Sequence, residues 1–341
     1  APPEEIYQYY SIAYEQLGRF DSAEFVLIDG LQKIPQNVQL RKRLAYAYKR
    51  QGKTDKEIIE YERLVDIAPN DISILNDLAK IYKDQGNYID QISVLNKVLK
   101  IDKSNEAAQS ELAIAFEKSG KDPIEVYEKR YLNNPDNISY GLDYSERLMN
   151  SDRLEESRSV LRNIILKNPN SKLAYRKLAE VCLLTDNLDD AAKAYESLFK
   201  IDPRDGMIAI LISDVYIDNQ NFGKALRWAD KAISLVKNDG SGYGQKGKVY
   251  YKAWDNFRQN PLTIDDRIIA SLAYENFLKA GKLKYRGFNK SKWLNENSKD
   301  VLYGKAQWFM ADEKVKRAGK IQPVSSTYDW VTDSFTAKGD W

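Results

Sequence analysis

From residue 4 to about residue 239 the apolar positions recur at helical spacing, and the recurrence itself repeats. A small residue is followed three positions later by a larger one: Ser11 and Tyr14, Ala45 and Tyr48, Ala79 and Tyr82, Ala113 and Phe116. The series resumes with Ser145 and Leu148, Ala179 and Cys182, Ser213 and Tyr216, Gly247 and Tyr250. Residues three apart share a helix face, so the small one admits a neighbouring backbone and the large one fills the space beside it. A second apolar pattern follows each first one, as in Ala191, Tyr195 and Leu198, at the i, i+4, i+7 spacing of another helix. The pattern therefore predicts pairs of amphipathic helices throughout.

The punctuation agrees. Gly18, Gly52, Gly86 and Gly120 lie four residues after the aromatics, where a left-handed cap ends a helix. Asp152, Asp186 and Gln220 hold that place in later copies. Pro35, Pro69, Pro135, Pro169 and Pro203 close the second helices, at intervals of 34, 66, 34 and 34 residues. Two residues past each proline place stand Asn37, Asp71, Asn105, Asn137, Ser171, Asp205 and Asp239, all good N-caps for the next helix. Between Gly120 and Pro135 the chain is two residues short, which predicts a shortened second helix in "KDPIEVYEKRYLNN", with Pro123 at its first turn.

A 34-residue helix–turn–helix period with these features resembles the tetratricopeptide repeat family. The stretch "LAEVCLLTDNLDDAAKAYESLFKIDP" (178–203) carries the resemblance most fully. It implies an all-α, right-handed superhelical solenoid of antiparallel helix pairs with a divergent C-terminal capping region. Seven repeats are expected at 4–37, 38–71, 72–105, 106–137, 138–171, 172–205 and 206–239. A degenerate eighth pair with an insertion is expected at 240–283, its second helix opened by a Thr263/Asp266 capping box. Residues 284–341 match no repeat and hold Trp293, Trp308, Trp330 and Trp341. They read as a cap over the open end of the stack, with one helix at 298–319 and an extended stretch at 322–335.

Composition narrows the function. The 341 residues are 30% charged with a formal net charge of +2, so no strong field points to nucleic acid, and none is expected as a partner. Histidine is absent, and with it the commonest general base and metal ligand. The one cysteine, Cys182, falls on a core position and reads as a buried thiol. Carboxylates fall on outer helix positions with no isolated acid/base pair, and "GSGYGQKGK" (240–248) lacks the strand and spacing of a phosphate loop. The basic run at 279–293 reads as a solvated helix end and loop, the alternative being a contact for an acidic protein, RNA or anionic lipid. No enzyme, cofactor or metal site is expected, and no stretch approaches the length of a transmembrane helix. The first residues, "APPEE", suit either a mature chain freed of a signal or a trimmed piece of a longer one. An extracytoplasmic location follows in the first case and a cytoplasmic one otherwise.

What the resemblance implies for function is a groove lined by the first helices, which family members use to hold a partner segment. The corresponding side chains are Lys42, Tyr46, Lys49, Asn76, Lys80 and Lys83, then Leu142, Met149, Leu173, Arg176, Leu183, Met207, Ile210 and Ile217. The groove is thus expected to be basic and polar in its early repeats and apolar in repeats five to seven. The family's clamp for a C-terminal carboxylate is not expected, because Gln8 and Ile12 stand at two of its places. The leading expectation is a non-catalytic scaffold or adaptor for a protein or peptide. The alternative is a structural subunit or assembly factor of a larger complex, such as a cell-envelope or secretion assembly. Its contacts would be the outer face and the tail, with Tyr328, Trp330 and Phe335 as candidates.

Overall fold

Six of the seven capping residues cap. In the computed structural model, which describes residues 4–337, Asn37 Oδ1 accepts the Leu40 N–H at 2.9 Å and Asn105 Oδ1 the Ala108 N–H at 3.0 Å. Asp71, Asn137, Ser171 and Asp205 accept the equivalent bonds at their own helix starts. Asp239 stands one residue early and accepts from Ser241. Each such bond satisfies a backbone N–H that the helix itself cannot, for about 1 kcal/mol.

The chain divides into two compact units, Ala1–Arg147 and Leu148–Trp341. The first holds four antiparallel helix pairs: α1 (Glu4–Gln16) and α2 (Phe20–Lys33), α3 (Val38–Arg50) and α4 (Thr54–Ile67), α5 (Ile72–Asp84) and α6 (Tyr88–Ile101), α7 (Glu106–Lys118) and α8 (Ile124–Asn133). The boundary falls inside α9 (Ile138–Asn150). The second unit continues with α10 (Leu154–Lys167), α11 (Lys172–Leu184), α12 (Leu188–Ile201), α13 (Gly206–Asp218), α14 (Phe222–Leu235), α15 (Ser241–Phe257) and α16 (Ile264–Lys282). Consecutive helices pack side by side within each unit, in the manner of a helical solenoid. The cores form where the repeating small and large positions meet: around Leu64, Ile74, Leu78 and Leu95 in the first unit, and around Tyr195, Ile212, Tyr216, Tyr250 and Trp254 in the second. Each fully buried side chain of this size contributes about 1.5–3 kcal/mol.

The first helices of four pairs end on left-handed glycines, φ +68 to +76° at Gly18, Gly52, Gly86 and Gly120. Asp152, Asp186 and Gln220 take the same conformation at φ 58, 55 and 54°, which strains a residue with a Cβ. Aspartate tolerates it better than glutamine does. Gln220→Gly is therefore expected to raise the stability of the second unit by about 1 kcal/mol, and Asp186→Gly by less, read from urea unfolding midpoints.

Past α16 the sequence reading needs correction. The stretch 298–319 is three short helices, α17 (Ser291–Glu296) being followed by α18 (Ser298–Val301), α19 (Lys305–Phe309) and α20 (Glu313–Ala318). The break has a tertiary cause: the Tyr303 N–H leaves the helical ladder to donate to Ser271 Oγ on α16 at 2.9 Å. Gly304 is extended, and its N–H bonds to Gln307 Oε1. The stretch 322–335 is not one extended run either. Ser326–Tyr328 form a 3₁₀ turn, and the strand β2 (Phe335–Thr336) pairs antiparallel with β1 (Lys320–Ile321). Trp341 lies outside the described residues.

This C-terminal segment is tied to α14–α16 by buried polar groups. Asp265 Oδ2 accepts the N–H groups of Val324 and Ser325 at 3.0 and 2.7 Å, and Asp266 Oδ1 accepts the Tyr328 hydroxyl at 2.7 Å. Asp266 also closes the capping box with Thr263. Lys246 Nζ sits between Asp230 and Asp333, 2.7 Å from each. The Trp330 ring stacks on Phe222 and Tyr250.

The glycines of "GSGYGQKGK" serve packing. Residues from Ser241 onward are helical, and a Cβ on Gly242 would stand 2.7 Å from the backbone nitrogen of Ile233 on α14.

Candidate functional site

The first-helix face of the first unit is polar and open. Tyr46 projects from α3, edge-on to the Phe20 ring at 6.1 Å, with Arg50 donating to its hydroxyl. Lys49 is exposed beside it and Lys42 half-buried. One turn of chain further, α5, α6 and α7 enclose a pocket of about 330 Å³. Asn76, Lys80 and Lys83 line it from α5, so three of the residues expected from the sequence come together there. Leu95 and Ala79 supply its apolar wall. Lys83 Nζ bonds both carboxylate oxygens of Glu111 at 2.8–2.9 Å, which holds its ammonium above the ordinary lysine value.

The pocket also contains a residue the motif reading passed over. Gln91, on α6, is 2% exposed, its Nε2 reaches Glu111 Oε2 only at 3.5 Å, and its Oε1 has no partner. A buried amide oxygen without a donor costs about 1–3 kcal/mol. The signal was present in the period. The equivalent residues in other repeats are Ala23, Ser157, Ala191 and Ala225, all small and buried, whereas Glu57 and Gln91 are large and polar at the same place. Burial raises the Glu57 carboxyl above its ordinary value, Lys49 opposes this, and Asp84 adds to it.

The later first helices expose apolar side chains, with Leu173 at 49% and Met207 at 54%; Leu183 and Arg176 are also exposed. Leu142, Met149 and Ile210 are half-buried. Ile217 is a correction: at 6% exposure it belongs to the core of the second unit. Its position is open in earlier copies, but α15 packs directly on α13, bonding through Gln245 to Ser213 and Asp214, and through Lys248 to Asp214. Tyr328 and Phe335 are corrections too. Both are buried within the chain's own fold, Tyr328 on Asp266 and Phe335 against Tyr303, so neither is presented to a partner. Trp330 is half-buried in its stack.

Cys182 is buried, and burial raises its thiol above the ordinary value. Among the described residues no group of carboxylates and cysteine is arranged to hold a metal ion, and no helix is long and apolar enough to cross a membrane.

Residues 11–72 and 145–206 match a tetratricopeptide repeat family, and residues 72–105 match a second family of the same description. Among solved structures, the MamA protein is similar at 16% identity, over 58% of this chain and 96% of its own, with a TM-score of 0.41. The C-terminal part of a repeat-containing protein from Cytophaga hutchinsonii is similar at 14% identity, over 69% and 98%, with a TM-score of 0.42. A tetratricopeptide repeat protein from Parabacteroides merdae is similar at 19% identity, over 87% and 97%, with a TM-score of 0.32.

Proposed function

The chain is a tetratricopeptide repeat protein, and from that premise we propose that it is a non-catalytic scaffold whose first helices hold a segment of a partner protein. The observation that carries this reading is the α5–α7 pocket. It gathers Lys80, Lys83 and Asn76 around a buried Gln91 oxygen that nothing in the described chain satisfies. A bound segment's N–H supplies what Gln91 lacks, and its carboxylates or carbonyls meet the two lysines. The exposed Leu173, Leu183 and Met207 give the second unit an apolar contribution on the same type of helix. In this reading residues 4–239 are seven interaction repeats, 240–283 an elongated eighth pair, and 284–341 its cap. The role as a fixed subunit contacting partners through the tail is disfavoured, since two of the three tail aromatics are committed to the fold.

Two results test it. Partners are captured from source cells with the intact chain, with Lys80→Glu/Lys83→Glu, and with Leu173→Glu/Leu183→Glu/Met207→Glu, each first shown to unfold cooperatively. A partner lost with either variant and named by mass spectrometry is the expected outcome; retention by both sinks the groove. Separately, Gln91→Ala removes the unsatisfied oxygen and restores the small residue of the other repeats. It is expected to leave the first unit as stable or up to about 1 kcal/mol more stable, while weakening partner binding. A clear loss of stability would instead make Gln91 a structural residue.

A further inference from the structure

The short second helix of the fourth pair borders a second cavity. α8 has 10 residues where α4 and α6 have 14. It begins four residues after Gly120, whereas α4 and α6 begin two after Gly52 and Gly86. Beside it, between α6, α7 and α8, lies a cavity of about 700 Å³ that shares no lining residue with the α5–α7 pocket.

Its chemistry is specific. Lys100, Lys103 and Lys129 stand on its exposed rim, and none of them is held in an ion pair among the described residues. Arg130 lines it as well, but its guanidinium stacks on Tyr140 at 3.8 Å and pairs with Asp143 at 3.9 Å. Three lysines outside any such pair thus face one lining acid, Glu125. The floor is apolar, with Leu112 buried and Phe116 half-buried. Gln109 reaches in from α7 at 4% exposure. Its Nε2 donates to the Lys103 carbonyl at 2.7 Å, which fixes the amide's orientation and leaves Oε1 without a donor.

Three demands coincide: anions for the lysines, an N–H for Gln109, and an apolar group for the floor. An inorganic anion meets only the first. We propose that this cavity is a docking site for an acidic peptide segment. One apolar side chain rests on Leu112 and Phe116, the flanking carboxylates meet Lys100, Lys103 and Lys129, and a main-chain N–H binds Gln109 Oε1. The site draws on α6, α7 and α8 and shares no lining residue with the α5–α7 pocket, so the two are separate sites and one chain can hold two partner segments at once.

The test uses the full chain and a fluorescein-labelled pool of decapeptides with Asp or Glu alternating with Leu or Phe, followed by anisotropy. Lys103→Glu/Lys129→Glu, both exposed and unpaired, is expected to weaken binding about tenfold or more. Lys231→Glu/Lys237→Glu, at two exposed lysines outside both sites, is expected to leave it unchanged, and a pool with Ala in place of Leu and Phe is expected to bind more weakly. Absence of binding, loss with Lys80→Glu/Lys83→Glu but not with Lys103→Glu/Lys129→Glu, or equal affinity for the Ala pool would overturn the proposal. So would tighter binding of an oligouridine with the same lysine dependence, which would make the site one for nucleic acid.

Discussion

Removing residues 322–341 is expected to lower the stability of the second unit by about 3–5 kcal/mol and leave the first unit unchanged. The segment buries Tyr328, Val331 and Phe335 and lays Trp330 on the rings of Phe222 and Tyr250. Its loss also strands charge. Asp265 and Asp266 are buried carboxylates that would lose the Val324, Ser325 and Tyr328 donors, and Lys246 would keep only Asp230 of its two partners. All six tryptophans follow residue 147, so tryptophan fluorescence reports on the second unit alone while far-ultraviolet dichroism reports on both. In the truncated chain the fluorescence transition should move to lower urea and part from the dichroism transition; coincident, unshifted curves would show the segment to be passive. Acid gives a second view. Burial pushes the Asp266 carboxyl up, but the bonds from Thr263, Tyr328 and Gln259 outweigh it and hold the group below the ordinary value of 3.8. A depressed carboxyl stabilises the fold above its unfolded value and ceases to as pH falls through its folded one. The second unit should therefore weaken below about pH 4, and Asp266→Asn should flatten that limb.

Gly242→Leu is expected to cost the second unit about 3 kcal/mol or more. The first atom of any side chain there would lie 2.7 Å from Ile233 N and 2.9 Å from Ile233 Cα. Those are backbone atoms of a packed helix and cannot swing aside as a side chain's end can. Gly281→Ala is the control, since nothing lies within 4 Å of a Cβ built at that position on α16. Helix propensity alone then acts, and a gain of up to about 1 kcal/mol is expected. Equal unfolding midpoints for the two variants would mean that α14 and α15 yield to the added bulk.

These contrasts mark what can be read from residues in order. Caps and helix ends are local: Asn37, Asp71 and Asp205 act within three residues of themselves, so their role was legible without knowing what packs above them. The shortened α8 was legible for the same reason, as two residues missing from a count. Ile217 was not, because its burial depends on α15, an element outside the regular period. Nor was the break at Tyr303, which is set by a hydroxyl 32 residues earlier. The aromatic tail was read as a cap, with Tyr328 and Phe335 as candidate partner contacts, and their burial was not legible because it depends on Asp266 and Tyr303 far from them in sequence. Gln91 and Gln109 fall between these cases. Each is polar where its surroundings are packed, and a repeat provides the internal standard against which such a residue stands out.

The carboxylate lock also sets a schedule. Asp265 Oδ2 and Asp266 Oδ1 must wait 59 to 62 residues for the groups that satisfy them, although Asp266 Oδ2 has Thr263 at once. At a synthesis rate of about 5–20 residues per second, that is roughly 3–12 seconds in which α16 exists without its counterpart. The first unit, built from contacts between neighbours in sequence, has no such delay. During that interval the exposed rings of Phe222 and Tyr250 are the part of the nascent chain with most need of a chaperone.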